Sequence, residues 1–462
     1  MVQHKGSMFI KRLKNVSAVR LIVSSFLVTV LIGAITLCFP ICSRNHEFTN
    51  FIDALFTATS ATCVTGLNVF DTFTHWNFFG QVIVILLIQI GGLGIISFTT
   101  GATLLIRGKL DFRDLQIAKE HTNGKVIDVY RLITTILLWT FICEGTGVLL
   151  LSFRFVPIYG LRGLWVAIFT SISAYCNAGF DIMGFISSGT SFISYNKDIF
   201  VSLVISFLIV FGGLGFIVIN DVGVCISKKF KNRKIKPRLK LHSVLVIMAT
   251  IFFLLLGTVL FLIFEYDNTL SGMTFFQKLS ASFFQSASTR TAGFFSLPIS
   301  DQNNSTKVLS IVLMFIGASP SSTGGGIKTT TFLVMLITIF SVLRGREDAI
   351  VLKHKIEKST VYKALTIIIL FLFLVGSFTV TLSFIENSQS NLNLIYEVVS
   401  AFSTTGLSVG ITSSLKDISK ILLSIAMFIG RVGPISLVLS VTLHQKEKIS
   451  DKILPEAKIL VG

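Results

Sequence analysis

Cys63-Val64-Thr65-Gly66, Cys176-Asn177-Ala178-Gly179, Arg290-Thr291-Ala292-Gly293 and Ser403-Thr404-Thr405-Gly406 are four short segments whose glycines stand 113, 114 and 113 residues apart. Aligned on the glycine, the position ten before it is always aromatic: Phe56, Phe169, Phe283 and Tyr396. The positions six and five before it are always small: Ser60-Ala61, Ser173-Ala174, Ala287-Ser288 and Ser400-Ala401. The residue after it is always bulky and apolar: Leu67, Phe180, Phe294 and Leu407. Columns that agree across four copies define one unit of about 113 residues, repeated in the same direction. Four copies of one short loop can surround a single axis, which is how a chain builds a pore for an ion.

Composition puts this unit in a membrane. Of 462 residues 52% are hydrophobic and only 14% charged, and the mean hydropathy is +0.79. A soluble chain of this length would expose too much apolar surface. A spanning helix needs about 20 apolar residues. Residues 21–39, 78–106, 243–264 and 364–385 carry no charge. Residues 132–153 contain Glu144, 199–227 contain Asp221, and 421–443 contain Arg431. Residues 308–343 are apolar at both ends and broken in the middle. The expectation is eight crossings, two per repeat. The 21–39 run is too long for a signal peptide, lacks a small-residue cleavage site and has counterparts in every later repeat. Residues 1–7 precede a second methionine, Met8, and the sequence leaves open whether they are native or an expression leader.

The net charge of +17 is concentrated between repeats. Lys228, Lys229, Lys231, Arg233, Lys234, Lys236, Arg238 and Lys240 occur with no acid among them. Arg107, Lys109, Arg113, Lys119 and Lys125 fill another connection, and Arg344, Arg346, Lys353, Lys355 and Lys358 a third. Both termini are basic as well. By the positive-inside rule these segments are cytoplasmic, and an even number of crossings agrees. The basic runs then face the cytoplasm, where a cytosolic partner and anionic membrane lipid are equal candidates for them, rather than nucleic acid. This layout divides the chain into a cytoplasmic N-terminus (1–19), repeats at 20–110, 111–228, 229–345 and 346–445, and a cytoplasmic C-terminus (446–462). The fold expected is an all-α polytopic membrane protein: four consecutive helix–pore loop–helix repeats around one central pore, in pseudo-fourfold arrangement.

Within a repeat, the segment before the glycine is too short to span and must enter and leave by the outer face. Irregular backbone at membrane depth is tolerated only when buried in protein or lining water. Four such loops on one axis meet that condition together. Their side chains differ while the glycine stays, which suits a filter of main-chain carbonyls replacing the hydration shell of a cation. The preceding short helix aims its negative dipole end at the same point. Cys63 and Cys176 are expected near the ion path, and Asn177 makes the filter asymmetric. The six cysteines form no disulfide or zinc pattern. No phosphate loop, HExxH or catalytic triad is present, and the few intramembrane titratable residues lack the pairing an enzyme site needs.

The helix after each filter carries a second register of small residues. Gly91-Gly92-Leu93-Gly94 is echoed by Gly212-Gly213-Leu214-Gly215, then by Gly317-Ala318 and Gly430-Arg431. In the first two repeats, close helix packing accounts for these glycines. The third repeat departs from it with Gly317-Ala318-Ser319-Pro320-Ser321-Ser322-Thr323-Gly324-Gly325-Gly326-Ile327-Lys328-Thr329, which cannot be a continuous helix. The fourth puts Arg431 at about the same depth, where a charge marks a functional site by default. These features suggest a gate beneath the filter, a loop obstructing the pore with Arg431 helping to hold it. The alternative role for Arg431 is a structural ion pair with Glu144 or Asp221.

These motifs resemble those of the Trk/Ktr/HKT superfamily of potassium transporters, over essentially the whole chain. The 319–329 segment is the most specific of them, and Thr62–Leu67 and Ser288–Phe294 are the others. With only the eight repeat helices, the chain looks like a Ktr membrane subunit. The resemblance implies potassium uptake across a bacterial plasma membrane, with sodium stimulation in many members. It implies a homodimer with one pore per subunit and regulation by a cytosolic ring of RCK-type nucleotide-binding subunits. It assigns potassium as the transported ion, with no covalently bound cofactor, and glycine in all four filters favours potassium. A sodium-permeable transporter of the same fold is the alternative.

Overall fold

The structure is a computed structural model that describes residues 18–94, 126–231, 238–346 and 348–433. The basic stretches at 107–125, 232–237 and 446–462 and the segments 95–106 and 434–443 lie outside the described residues. So do residues 1–17 of the expected cytoplasmic N-terminus.

The element order recurs four times. The first quarter has α1 (Ala18–Cys38), a short helix α2 (Phe51–Thr62), a single turn α3 (Thr72–His75) and α4 (Phe78–Leu93). The second has α5 (Val126–Tyr159), α6 (Leu161–Tyr175), α7 (Ile199–Gly213) and α8 (Phe216–Lys231). The third has α9 (Leu241–Phe264), α10 (Phe275–Ser288), α11 (Asn304–Phe315) and α12 (Thr329–Leu343). The fourth follows a two-residue-per-strand hairpin, β1 (Ile350–Val351) with β2 (His354–Lys355), and has α13 (Lys358–Ile385), α14 (Asn391–Ser403) and α15 (Asp417–Val432).

Local sequence sets the helix starts. Asn50, Asn77, Asp198 and Ser390 accept hydrogen bonds from the first free N–H groups of α2, α4, α7 and α14, and Thr274 with Gln277 forms a capping box on α10. Two buried glutamates do the same job between elements. Glu265, at the end of α9, accepts from Asn303 N and Thr306 Oγ1 at the start of α11. Glu386, at the end of α13, accepts from Lys416 N at 2.8 Å and Ser419 Oγ at 2.7 Å at the start of α15. Each ties the two flanking helices of its quarter together.

Three of the leading helices are long and apolar enough to span a membrane: α9, α13 and residues Thr134–Tyr159 of α5. They bury little of themselves, and α13 turns Phe373, Val380 and Phe384 outward. The following helices differ from the expected unbroken crossings. α4 stops at Gly94 and α15 at Gly433, both with positive φ (78° and 89°). The 199–227 segment is two helices meeting at 96° across Leu214-Gly215. The apolar run continues past each break, so hydropathy alone does not register it.

First and last quarters are joined by a buried ion pair, Lys420 Nζ on α15 to Asp53 Oδ1 on α2 at 2.7 Å. Removing one partner of such a pair strands a desolvated charge at a cost of about 3–5 kcal/mol. Lys420→Ala is therefore expected to lower the unfolding midpoint in detergent sharply, with Asp53→Ala/Lys420→Ala recovering most of the loss. Additive losses in the double variant would contradict a direct pair.

Candidate functional site

The four short helices, α2, α6, α10 and α14, end in one construction. In each, the residue two before the glycine has left-handed backbone: Val64 (φ 57°), Asn177 (58°), Thr291 (67°) and Thr404 (50°). None is a glycine, and Val64 and the threonines are β-branched, for which this region costs on the order of 1–3 kcal/mol. The chain is held there by its neighbours. Val64 N, Asn177 N and Thr404 N each donate to the alanine carbonyl three residues back, at 3.1 Å in every case. The next N–H reaches five residues back, Thr65 to Ser60 O and Ala178 to Ser173 O at 2.8 Å and Thr405 to Ser400 O at 2.9 Å. This is a Schellman closure of the helix end. The third quarter varies it, Ala292 N bonding Ser288 O at 2.9 Å. In the first and fourth the serine hydroxyl also accepts from the glycine N–H, Ser60 Oγ from Gly66 at 3.1 Å and Ser400 Oγ from Gly406 at 3.0 Å. The small-residue columns in the sequence are this closure.

The glycines form a closed ring. A Cβ on Gly66 would lie 2.6 Å from Ala178 O, one on Gly179 2.8 Å from Ala292 O, and one on Gly293 2.5 Å from Thr405 O. One on Gly406 would strike Thr65 O and close the circuit. All four also have positive φ, between 70° and 97°. Any side chain here is strained and forces the adjoining backbone to shift, so glycine is favoured on both counts. On one side the ring floors a vestibule of about 350 Å³, lined by Asn68, Asp71, Asp181, Ser191, Ser408 and Thr412 among others. Asp71 Oδ1 caps α3, and its Oδ2 accepts from Gly189 N at 2.9 Å. Burial pushes the Asp181 carboxyl up to about 6, with nearby Asp71 adding to the rise and Met183 N–H and Ser191 opposing it.

The side chains beside the ring mostly face the wall. Cys176 Sγ donates to Gln89 Oε1 at 3.5 Å, and Cys63 packs in an apolar cluster with Phe56 and Leu67. Arg290 Nη1 reaches Thr250 O at 3.3 Å. With its amide oriented to satisfy its hydrogen bonds, Asn177 donates to Ile209 O at 3.1 Å and Ala174 O at 3.2 Å. The side-chain asymmetry expected of Cys63, Cys176 and Asn177 therefore falls behind the ring. Thr65, Thr291 and Thr404 keep buried hydroxyls with no partner, the kind of orphaned oxygen that a desolvated cation would satisfy.

Opposite the vestibule, residues 317–328 cross beneath the ring without helix. Gly324 lies against Thr291 Oγ1 and Gly325 against Thr404 Oγ1, so each glycine fits where a Cβ would collide. The loop is tied directly to the second and fourth quarters and through Arg431 to the first. Ser319 N and Thr323 N donate to Gly213 O and Gly212 O at 3.1 and 3.3 Å, and Thr323 Oγ1 to Tyr175 O at 3.3 Å. Arg431 donates to Thr323 O in the loop and to Gly91 O at the end of α4. Lys328 Nζ turns back to Gly324 O at 2.7 Å, and Ser322 Oγ to Ser319 O at 2.6 Å. The expected alternative for Arg431, an ion pair, is not what forms. Glu144 instead accepts from Gln89 Nε2 at 3.1 Å, and Asp221 from Ser243 Oγ at 2.7 Å. The second register of glycines has a plain steric role: a Cβ on Gly91, Gly212 or Gly430 would strike Thr62 O, Tyr175 O or Phe402 O, the carbonyls four residues before the ring glycines. Glu397 is a site residue the sequence reading missed. Buried on α14, it accepts from Ser408 Oγ, from Val409 N at 3.2 Å and from Thr412 Oγ1 at 3.1 Å, ordering the vestibule wall. An acid in an otherwise apolar short helix was the available signal.

Comparisons with known proteins agree with this architecture. The family model described as TrkH, cation transport protein, matches residues 11–452. The potassium/sodium uptake protein NtpJ of Enterococcus hirae is 35% identical over 97% of this chain and 98% of its own length. The Ktr system potassium uptake protein B of Bacillus subtilis is 37% identical over 95% of each. The crystal structure of the potassium transporter TrkH from Vibrio parahaemolyticus superposes with a TM-score of 0.68 at 19% identity, covering 91% of this chain and 83% of that one, a likeness of fold.

The wall-facing thiols can be checked directly. A small thiol reagent is expected to modify Ser408→Cys in the vestibule readily and to leave Cys63 and Cys176 at background in the folded protein, scored by mass spectrometry. Labelling of either native cysteine at a rate near that of Ser408→Cys would put its side chain on the axis instead.

Proposed function

This chain belongs to the TrkH family of cation transport proteins, and from that premise we propose that it carries potassium into the cell through the four-glycine ring. The family is one of membrane transporters and not of enzymes. The observation that supports the route best is the ring itself: four carbonyls, Thr65 O, Ala178 O, Ala292 O and Thr405 O, each pressed against the next glycine, between a polar vestibule and a removable loop. Carbonyl oxygens in that setting replace the water of a weakly hydrated cation. The vestibule faces outward in this reading, because the connections within quarters line it, whereas the basic connections between quarters are taken as cytoplasmic. Loop 317–329 closes the route, and Arg431 latches it to α4. Relatives named as parts of a Ktr system support a separate regulatory component, which the cytoplasmic side of the chain would receive. A sodium-permeable reading is favoured by one relative's name, potassium/sodium uptake protein.

Rubidium uptake into vesicles containing this chain alone, with potassium and sodium as competitors, tests the reading. Competition by potassium and little by sodium is expected. Equal competition would favour the sodium-permeable alternative. Gly66→Ser, forced against Ala178 O, is expected to admit more sodium, and an unaltered sodium-to-potassium ratio would sink that assignment. Deletion of 317–329, or Arg431→Ala, is expected to raise flux by about tenfold or more, since a latch worth 1.4 kcal/mol is already a factor of ten. Well-folded variants with unchanged or lower flux would contradict a gating role.

The Asp181 carboxyl gives the route a pH signature. Its ionisation sits near about 6, so it is charged at neutral pH and neutral well below that. Losing this negative charge weakens the vestibule's attraction for cations. Uptake is expected to fall as the outside is acidified from about 7.5 to about 5, with roughly a two- to threefold span. Asp181→Asn should hold uptake at the low level throughout. An unchanged pH profile in that variant would remove Asp181 from the entry path.

A further inference from the structure

The helix α8 is built unlike the rest of the chain and is joined to the closing loop by its first residue. It leaves α7 at 96°. Gly215, with φ 90°, makes the corner, and a Cβ there would lie 2.5 Å from Pro320 O. Phe216 N donates to Ser321 O at 2.8 Å. With the bonds from Ser319 and Thr323 to Gly213 and Gly212, the α7–α8 corner carries much of the loop's attachment outside Arg431. The start of α8 is therefore bonded to the segment lying under the ring.

The last turns of α8 are exposed among the described residues. Ile219, Val222, Ile226 and Phe230 recur at spacings of three and four and make one apolar stripe, which emerges progressively: the first two are half-buried, Ile226 is 51% exposed and Phe230 84%. Lys228 and Lys229 are exposed beside the stripe. The chain returns alongside: Cys225 Sγ lies 3.7 Å from Arg238 O, and Lys240 N donates to Asp221 Oδ2 at 2.9 Å, bringing exposed Arg238 to the same edge. An apolar stripe flanked by lysines on a helix lying across the spans is the pattern of a helix in the membrane interface, where apolar side chains meet acyl chains and the cations meet anionic headgroups.

We infer that α8 rests in the cytoplasmic surface of the bilayer, held by anionic phospholipid through Lys228, Lys229 and Phe230, and that this hold keeps the 317–329 loop packed beneath the ring. The inference rests on the ion-path reading above. The link is mechanical and local. Lifting α8 out of the surface turns the Gly215 corner, and the Phe216–Ser321 and Gly213–Ser319 bonds cannot survive that rotation together. Anionic lipid then restrains transport, and a cytosolic regulator that pulled α8 from the lipid would release it.

The test uses the full chain in vesicles of phosphatidylcholine alone and of equal parts phosphatidylcholine and phosphatidylglycerol. Rubidium uptake is expected to be about fivefold lower in the anionic vesicles, the effect of one basic residue's attraction to the surface. Lys228→Gln/Lys229→Gln is expected to abolish the difference, and the chain lacking 317–329 to transport at a high rate in both. A lysine variant that keeps the full lipid difference overturns the inference, as does a loop-deleted chain that keeps it. A second readout needs no transport. A fluorophore on Ser227→Cys is expected to be quenched more by brominated phosphatidylglycerol than by brominated phosphatidylcholine, and this preference should vanish with both lysines replaced. Equal quenching by the two lipids overturns the inference and leaves a soluble protein as the occupant of this face. Absence of uptake by every variant, with the quenching preference intact, would instead count against the ion-path reading while leaving the lipid contact standing.

Discussion

Everything in this fold is arranged around a contact that only glycine permits: the Cα of one loop against the carbonyl of the next, four times in a circle. A single methyl group at any of the four positions would push a main-chain oxygen off the ring. Each loop is closed by its own hydrogen bonds and braced by the next. The cost of left-handed backbone is met by the Schellman bonds at Val64, Asn177 and Thr404 and by the Ala292–Ser288 bond beside Thr291, together with the adjacent quarters. The Lys420–Asp53 pair closes the circle where the chain itself cannot, between its first and last units.

The same constraint explains the helices around the ring. The short helices must end at one depth, and the helices behind them must come close enough to seat their terminal carbonyls. Gly91, Gly212 and Gly430 allow that approach, and the helix breaks a few residues later in those three quarters. Three quarters break at a positive-φ glycine, whereas the third opens into a loop. In the proposed reading, that asymmetry is what gives the ring a gate. A loop drawn from the third quarter is bonded to residues of the second and fourth, and through Arg431 reaches the first, so a change at Arg431 or at the α7–α8 corner bears on the same segment.

Much of this was legible in the chain. The glycine interval, the small and aromatic columns and the helix-breaking 317–329 segment all express steric demands that restrict residue type, and such demands leave a trace in sequence. The left-handed position two before each glycine left none, because valine, asparagine and threonine occupy it and the restraint comes from hydrogen bonds rather than composition. The direction of the Cys63, Cys176 and Asn177 side chains was equally invisible: spacing along an irregular loop does not say which way a side chain points. The breaks at Gly94, Gly215 and Gly433 were masked by apolar residues continuing beyond them. Arg431 could be recognised as costly, yet its partners are carbonyls, which every residue carries and no sequence can single out. Asp53 and Lys420 lie too far apart in the chain for any local pattern to pair them.

The central claim is that the cation passes through the ring of Thr65, Ala178, Ala292 and Thr405 carbonyls. Thallium mimics potassium and scatters anomalously, so a thallium-soaked crystal of this protein locates the site without reference to transport. The account predicts an anomalous peak on the axis of the four glycines, weakened by potassium and unaffected by sodium. Peaks confined to the vestibule or to the Glu144 region, with none at the ring, would contradict it.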